Sequence, residues 1–294
     1  MLADYIKPEY LCDEIKNIVQ SVRGGIPTAV FGVQASEKYH LASCMDLPVI
    51  YIARDELSAK NAARELRALS GRKAVYLPAK DDVLLYNKAF NKDSYYARIA
   101  ALYELKKGAD IVTVTFESLL QLIPKDIRFL QIVKGEEYPF DSLVSKLISM
   151  GYRRVEVIDG KTQFAIRGDI IQIFPINCDT PVRIDFFGDE VEKIQYFDET
   201  GNKLSGKLEK LLILPAVDFY IDNGEIQDLK TRLSDEIKAV RTSVFADKTR
   251  EIAGGLTEKI ETDVSDASLS FLLPVIKCMN GSIRDYMGDN AVVV

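Results

Sequence analysis

The segment from Gly151 to Asp198 constrains the fold of this 294-residue chain more than any other. It consists of short runs rich in Ile, Val and Phe, separated by turn sequences at Asp159-Gly160, at residues 177–181 (NCDTP) and at Gly188-Asp189. Apolar runs of strand length bounded by Gly, Asn, Asp and Pro are typical of β-strands joined by turns. The segment therefore predicts a mostly antiparallel sheet.

Residues 1–124 have a different pattern, in which strands and helices alternate. The predicted strands are Thr28–Val33, Pro48–Ala53, Ala74–Leu77 and Ile111–Thr115, and the predicted helices are Ser36–Cys44, Glu56–Leu69 and Ser94–Lys107. Continuous apolar strands that alternate with helices are typical of a parallel α/β sheet. We therefore predict an α/β region over residues 1–124.

The rest of the chain predicts two further regions. Residues 125–210, in which a predicted helix Asp141–Met150 precedes several β-segments, favour an inserted α+β domain. Residues 211–294 return to helix over Gly224–Ala246, where Ile226, Leu229, Leu233, Ile237 and Val240 recur at near-helical spacing. We expect 211–294 to be the second part of the α/β lobe, and its apolar C-terminal run suggests a longer polypeptide cut just after a core strand.

Composition excludes several classes of protein. A hydrophobic content of 47% and a charged content of 28% are typical of a soluble globular protein, and the net charge of -6 argues against a generally basic nucleic-acid binder. Residues 1–10 contain three charged side chains and no apolar run, and no stretch approaches the ~20 apolar residues of a membrane span. We expect a cytoplasmic protein.

Metal and thiol chemistry are not indicated. The cysteines, Cys12, Cys44, Cys178 and Cys278, lie far apart without a CxxC pair, which favours buried free thiols. His40 is the only histidine, so a metal site is not expected, and we interpret it as a surface or packing residue. No cofactor is predicted.

A degenerate phosphate-binding loop follows the first predicted strand. Residues 32–39, GVQASEKY, lie where GxxxxGK[ST] would bind nucleotide between a strand and a helix. Gly32 and Lys38 match, but Glu37 replaces the second glycine and Tyr39 replaces the magnesium-binding hydroxyl. Glu37 adds a negative charge beside the phosphate position, and Tyr39 cannot replace the small hydroxyl. We predict no ATP binding. Lys38 is expected to form an ion pair with Glu37 or a neighbouring acid. Residual phosphate or sulfate binding at the start of the helix stays open.

The chain resembles the N-terminal, UvrB-homologous module of bacterial transcription-repair coupling factor (Mfd) over essentially its whole length. The motifs that carry the resemblance are FAIRGD at residues 164–169, IFP at 173–175, PVRIDFFGDE at 181–190 and YFD at 196–198. The resemblance implies a helicase-like α/β lobe with a degenerate P-loop and an inserted domain that docks on UvrA, the damage sensor of nucleotide excision repair. It also implies that Arg167, Arg183 and Phe187 contact UvrA.

Two departures from UvrB favour the coupling-factor type of module. The nucleotide loop is degenerate, and the region Asp81–Arg98 is too short for the aromatic-rich hairpin with which UvrB clamps DNA. The resemblance therefore implies a non-catalytic adaptor that recruits repair to stalled RNA polymerase, with UvrA and the later domains of the same longer chain as partners. DNA contact by this fragment is expected to be weak or absent.

Other interpretations of the same residues stay open. Arg167 and Arg183 can instead be exposed strand residues paired locally with Asp169 and Asp185. Phe186 and Phe187 should point to opposite faces of one strand, although both could be buried. The alternative functions are an ATP-dependent, UvrB-like helicase or damage-verification lobe, and an autoinhibitory domain that acts within its own chain.

Overall fold

A computed structural model describes residues 11–34, 36–80, 91–198, 204–221, 223–239, 246–262 and 266–294. Their contacts group them in two compact units. Unit 1 contains the described residues up to Lys80 together with Asn91–Gln121 and Gly281–Val294. Unit 2 contains those within Leu122–Asn280.

The helices and strands alternate in the first part of the chain and separate later. The helices are α1 Asp13–Arg23, α2 Glu37–Ser43, α3 Glu56–Ser70, α4 Lys92–Lys106, α5 Phe116–Leu120, α6 Phe140–Ser149, α7 Asn223–Ala239, α8 Ala246–Thr262 and α9 Ile283–Met287. The strands are β1 Val49–Ala53, β2 Ala74–Tyr76, β3 Ile111–Thr115, β4 Leu130–Val133, β5 Arg153–Arg154, β6 Gln163–Arg167, β7 Ile170–Ile173, β8 Val182–Phe187, β9 Glu190–Phe197, β10 Leu204–Lys207, β11 Lys210–Ile213 and β12 Val292–Val293. A 3-10 helix, Ala267–Val275, precedes α9.

Unit 1 is built on a parallel sheet with the strand order β12-β1-β3-β2. The central strands β1 and β3 are almost wholly buried, as their continuous apolar sequences predict. Helix α3 packs small residues such as Ala59 and Ala62 toward this sheet, and Ala59 O accepts a hydrogen bond from Thr113 Oγ1 at 2.9 Å. The predicted parallel α/β region is confirmed in these strands.

Helix α3 has caps at both ends that the sequence supplies. The Asp55 carboxylate accepts the backbone N–H of Ser58 at 2.7 Å, which satisfies one of the free donors in the first turn. Gly71 ends the helix in the left-handed conformation, with φ of 68°. The structure has α3 at Glu56–Ser70 where the sequence predicts Glu56–Leu69.

The predicted strand Thr28–Val33 is wrong. These residues form no strand in the described chain, and Phe31 is 90% exposed. A strand needs a neighbour that satisfies its backbone groups, and β12, from the far end of the sequence, pairs with the outer side of β1. Composition alone could not foresee that pairing. Helix α1, Asp13–Arg23, was not predicted at all.

Arg98 of α4 is fully buried in unit 1. Its guanidinium donates to the carbonyl oxygen of Pro78 at 2.6 Å and lies 3.4 Å from Ser118 Oγ. The same hydroxyl donates to Leu77 O at 3.0 Å. Buried charge is tolerated only where hydrogen bonds satisfy it, so Arg98 joins the end of β2 to α4 and α5 through this network.

Unit 2 contains two sheets. The larger has the strand order β10-β9-β8-β7-β6-β5, in which only β5 and β6 run parallel, and the smaller pairs β11 with β4 antiparallel. The turns Gly168-Asp169 and Gly188-Asp189 close the β6–β7 and β8–β9 hairpins, and Gly168 and Gly188 have φ near +60°. Glycine reaches that region without strain, so these turns set the register. The predicted, mostly antiparallel sheet is confirmed.

One side of the larger sheet forms the core of unit 2. The strand residues on this inner side pack with two leucines of α6: Leu143, Leu147, Phe164, Ile171, Ile173, Val182, Ile184, Phe186 and Ile194. Asp189 attaches the β8–β9 turn to the same helix, because its side-chain oxygen accepts the N–H of Phe140 at 3.0 Å. Helix α6 was predicted at Asp141–Met150 and lies at Phe140–Ser149.

Unit 2 also contains a helical part. Helices α7 and α8 and the 3-10 helix bury a separate cluster that includes Leu229, Leu256, Ile260 and Leu272. Ile226 and Leu233 pack against it, as the spacing predicts. Ile237 and Val240, also part of the predicted pattern, lie outside the described side chains.

The grouping of the chain differs from the expected three regions. The sequence assigned residues 211–294 to the first α/β region, whereas contacts place only Gly281–Val294 in unit 1 and the described residues of 211–280 in unit 2. Among the residues of that stretch that the structure describes, only β12 pairs with the parallel sheet, whereas the helices α7 and α8 bury their own cluster. In the described part of the chain, no helix is both long and apolar enough to cross a membrane.

Candidate docking face of unit 2

The side of the larger sheet opposite the core carries the residues that the sequence singled out. Directly opposed residues of antiparallel strands lie on the same face. By the observed register, this outer face consists of Arg167, Ile170, Gln172, Arg183, Asp185, Phe187, Glu190, Lys193 and Gln195. The structure therefore brings Arg167, Arg183 and Phe187 to one face.

Part of the same side is covered by the chain itself. Ala165, which lies opposite Gln172, packs in a small buried cluster with Ile158, Phe174 and Phe197. The neighbouring outer-face residues are exposed or half-buried. The uncovered strip therefore runs across β7, β8 and β9 and includes the tip of β6.

Phe186 and Phe187 occupy opposite environments, which confirms the expected alternation. Phe186 is 5% exposed and meets the ring of Phe140 edge-on, with centroids 5.3 Å apart. Phe187 is 79% exposed on the outer face. An aromatic ring left in water on the same face as two arginines is the kind of residue that anchors protein interfaces.

The two arginines differ in their local contacts. Arg183 Nε donates to Asp185 Oδ1 at 2.6 Å, so the local ion pair foreseen for it is present. Arg167 is exposed, and within the described residues no ion pair joins it to Asp169. Lys193, opposite Asp185, pairs with Glu192 at 2.8 Å; the hydrogen bond and charge of Glu192, with a smaller contribution from Asp185, raise the Lys193 pKa.

In the described part of residues 32–39 of unit 1, side chains contact the backbone of the same segment and the parallel sheet. A Glu37 side-chain oxygen accepts the backbone N–H of Gln34 at 2.9 Å, where a nucleotide-binding loop would offer its amides to phosphate. Tyr39 packs on the buried Tyr51, with ring centroids 5.8 Å apart. Burial is the main cause that raises the pKa of Tyr51 to about 12. Gly32 keeps the left-handed φ of 78°.

The structure corrects the expectation for Lys38, agrees with that for His40 and covers only part of that for the region Asp81–Arg98. The ion pair expected between Lys38 and Glu37 does not occur among the described residues; Lys38 Nζ lies 5.1 Å from the Tyr39 ring centroid instead, because Glu37 turns back to Gln34. His40 is half-buried on α2, in line with a packing role. The region Asp81–Arg98 was expected to be too short for the hairpin with which UvrB clamps DNA. The structure describes this region only from residue 91, so most of that expectation lies outside the described residues.

The cysteines are only partly the buried thiols that we expected. Cys44 and Cys278 are buried and Cys178 is half-buried, but Cys12 is exposed just before α1. Burial raises the pKa of Cys44 and of Cys178 to about 11. These two thiols are therefore poor nucleophiles. The described chain contains no cluster of three or more His, Cys, Asp or Glu side chains suited to a metal ion.

Sequence reasoning missed part of the outer face. Ile170, Gln172, Lys193 and Gln195 were not singled out, although they share the face with the predicted residues. The signal was available, because every second residue of a strand lies on one face. The pairing register, which the sequence did not define, was needed to combine four strands into one surface.

Comparison with known proteins bears directly on this face. Residues 130–219 match the family model of the UvrB interaction domain, and this range contains Arg167, Arg183 and Phe187. UvrABC system protein B of Carboxydothermus hydrogenoformans is 26% identical over 76% of the chain, and the transcription-repair-coupling factor of Bacillus subtilis is 24% identical over 96%. The chain is a homologue of both kinds of protein. The resemblance inferred from the motifs is confirmed.

The homology covers only part of each relative. The chain spans 38% of the Carboxydothermus protein and 25% of the Bacillus one. The UvrABC system protein B of Thermosipho africanus reaches 30% identity over 52% of this chain, and that match covers 24% of its own length.

Proposed function

We propose that the outer face of unit 2 is a docking surface for UvrA. The observation that carries the proposal is that Arg167, Arg183 and Phe187 lie on one uncovered sheet face inside the matched UvrB interaction domain. Guanidinium groups suit a protein interface because they can bind carboxylates in a bidentate manner. The exposed ring of Phe187 supplies the apolar anchor, and the arginines supply the polar surroundings.

The proposed role is that of an adaptor in transcription-coupled repair. A module that presents the surface UvrB would use can bring UvrA to an RNA polymerase engaged by later domains of a longer chain. Such a module should compete with UvrB for UvrA. The homology with both UvrB and the transcription-repair-coupling factors supports this role, and the role itself implies a cytoplasmic site of action.

We further propose that unit 1 is a degenerate P-loop lobe without ATPase activity. Glu37 accepts the Gln34 N–H that a phosphate would use, and its charge opposes a second anion at that position. Tyr39 packs on Tyr51 and cannot ligate magnesium. The net charge of -6 likewise favours protein partners over nucleic acid.

A calorimetric titration of this chain with purified UvrA tests the docking proposal. We expect saturable binding, at least tenfold weaker for Arg183→Ala (about 1.4 kcal/mol), with an unchanged melting temperature. UvrB added to the mixture should displace the chain. Absence of binding by the wild-type chain would reject the proposal and favour a role within its own longer polypeptide.

A fluorescent ATP analogue tests the adaptor role against the enzymatic alternative. We expect no saturable, magnesium-dependent change in fluorescence when the analogue is titrated with the chain. UvrB serves as the positive control under the same conditions. Magnesium-dependent binding by this chain would contradict the non-catalytic assignment.

A further inference from the structure

The ion pair between Arg183 and Asp185 joins two residues that are neighbours on the outer face of β8. The distance from Nε to Oδ1 is 2.6 Å, and the two side chains are 29% and 18% exposed. Hydrogen bonds between ionised groups are shorter and stronger than neutral ones, and partial burial reduces screening by solvent. This contact therefore restricts the side-chain motion of Arg183 more than an ordinary surface pair would.

The pair uses only one edge of the guanidinium. Asp185 accepts from Nε, and among the described residues no hydrogen bond is formed by the two terminal nitrogens of Arg183. A guanidinium can bind a carboxylate through its terminal edge with two parallel N–H donors. Arg183 thus keeps its bidentate edge available while Nε is held.

Residues along β8 extend this arrangement. Arg183, Asp185 and Phe187 occupy every second position of β8 and therefore lie in one row on the outer face. The arginine held by Asp185 and the exposed ring are thus part of the same row. Across the strands, Asp185 lies between Ile170 of β7 and Lys193 of β9. Its carboxylate is therefore flanked by one apolar residue and one cation, and Lys193 is itself engaged by Glu192.

We propose that Asp185 is a positioning residue, which orients Arg183 for the docking partner before contact. The inference rests on the proposed function and specifies the partner chemistry: a carboxylate for the terminal edge of Arg183, next to an apolar pocket for Phe187. A long side chain that is ordered in advance loses less conformational entropy on binding. Asp185 contributes through Arg183 and not through a contact of its own.

A double-mutant cycle against UvrA tests this. The proteins are wild type, Arg183→Ala, Asp185→Asn and the double variant, with affinity measured by calorimetry. We expect Asp185→Asn to weaken binding about 5–30-fold (about 1–2 kcal/mol) in the wild-type background and not at all in the Arg183→Ala background. Asp185→Glu should recover part of the affinity, because it restores the charge. Asp179→Asn, in the exposed loop between β7 and β8, is the matched control and should bind like wild type.

The outcomes separate the two proposals. No binding of UvrA by the wild-type chain overturns the docking proposal and this inference with it. Wild-type binding with unchanged or tighter affinity for Asp185→Asn overturns this inference alone. Equal losses from Asp185→Asn in both backgrounds also overturn it, since Asp185 would then act independently of Arg183. Melting temperatures of all variants exclude unfolding as the cause.

Discussion

Phe186 and Phe187 are adjacent in sequence and lie on opposite sides of the same sheet. The first is buried against Phe140, and the second is almost fully exposed between the turn at Gly188 and the row of Asp185 and Arg183. Burying the Phe186 side chain stabilises unit 2, whereas exposing Phe187 has no benefit for folding. Under the proposed function, the exposed ring is the apolar anchor of the docking face.

Substituting each phenylalanine separates stability from docking. We expect Phe186→Ala to lower the free energy of unfolding by about 3–5 kcal/mol, because it leaves a cavity in the core. Phe187→Ala should change it by less than about 0.5 kcal/mol but weaken UvrA binding at least tenfold. Denaturant unfolding and calorimetric titration measure the two effects. Similar losses of stability in both variants would show that Phe187 packs in the fold.

The two arginines should act on binding and leave folding unchanged. We expect Arg167→Ala and Arg183→Ala each to weaken UvrA binding by about 1–3 kcal/mol, in the range of interface hot spots. Arg154→Ala is the control, because Arg154 is exposed on β5 and lies opposite Phe164 of the inner side, so it is not part of the outer face. Loss of affinity in all three variants would indicate a nonspecific effect of net charge.

The strands of this domain were predictable because local chemistry defines them. The turns at Gly188-Asp189 and Asn177–Pro181 delimit strands whose apolar residues alternate. In unit 1, the continuous apolar runs of β1 and β3 predict buried strands of a parallel sheet. What failed depends on contacts between distant residues. Thr28–Val33 has the composition of a strand, but β12 holds the position beside β1.

The candidate site was predictable in part. Motif resemblance indicated Arg167, Arg183 and Phe187, but the register that places Lys193 opposite Asp185 exists only in the folded sheet. The buried position of Arg98 was not foreseen either, since a charged residue in a helix is normally solvated.

Tyr39 should matter for stability and not for chemistry. Tyr39→Thr restores the hydroxyl type of a nucleotide loop but removes the ring that packs on Tyr51 and lies near Lys38. We expect a loss of about 1–2 kcal/mol in unfolding free energy from the lost aromatic pair and buried area, and no gain of ATP-analogue binding. Tyr39→Phe keeps the ring and should be close to wild type. Gain of nucleotide binding by Tyr39→Thr would contradict the proposal that Glu37 opposes an anion in this loop.

Arg98 should be among the most sensitive positions of unit 1. Arg98→Ala removes the donor for Pro78 O and leaves a large cavity. We therefore expect the free energy of unfolding to fall by about 3–5 kcal/mol. Arg98→Met fills most of the side-chain volume and removes only the hydrogen bonds of the guanidinium. It should therefore lower the free energy of unfolding by less than Arg98→Ala does. Denaturant unfolding measures both. A loss below about 1 kcal/mol for Arg98→Ala would show that the network contributes little.

The cap of α3 predicts a pH dependence at acidic pH. Hydrogen bonds from Ser58, first its backbone N–H, and from Arg54 lower the Asp55 pKa from its ordinary value of 3.8 to about 2. The stabilisation by this carboxylate is therefore fully present above about pH 4 and is lost as the pH falls through about 2. A carboxyl NMR titration should give a midpoint near 2. A midpoint near 4 would mean that the cap is not formed.

Each strand of the larger sheet serves two requirements with alternate residues. Inner residues such as Ile184 and Ile194 pack in the core, while outer residues such as Arg183 and Asp185 do not, and under the proposed function they answer to a partner. Substitutions at every second position can therefore change recognition without disturbing the fold. In the course of evolution, or in a laboratory library, affinity for a partner and stability of the domain can be tuned independently on the same strand.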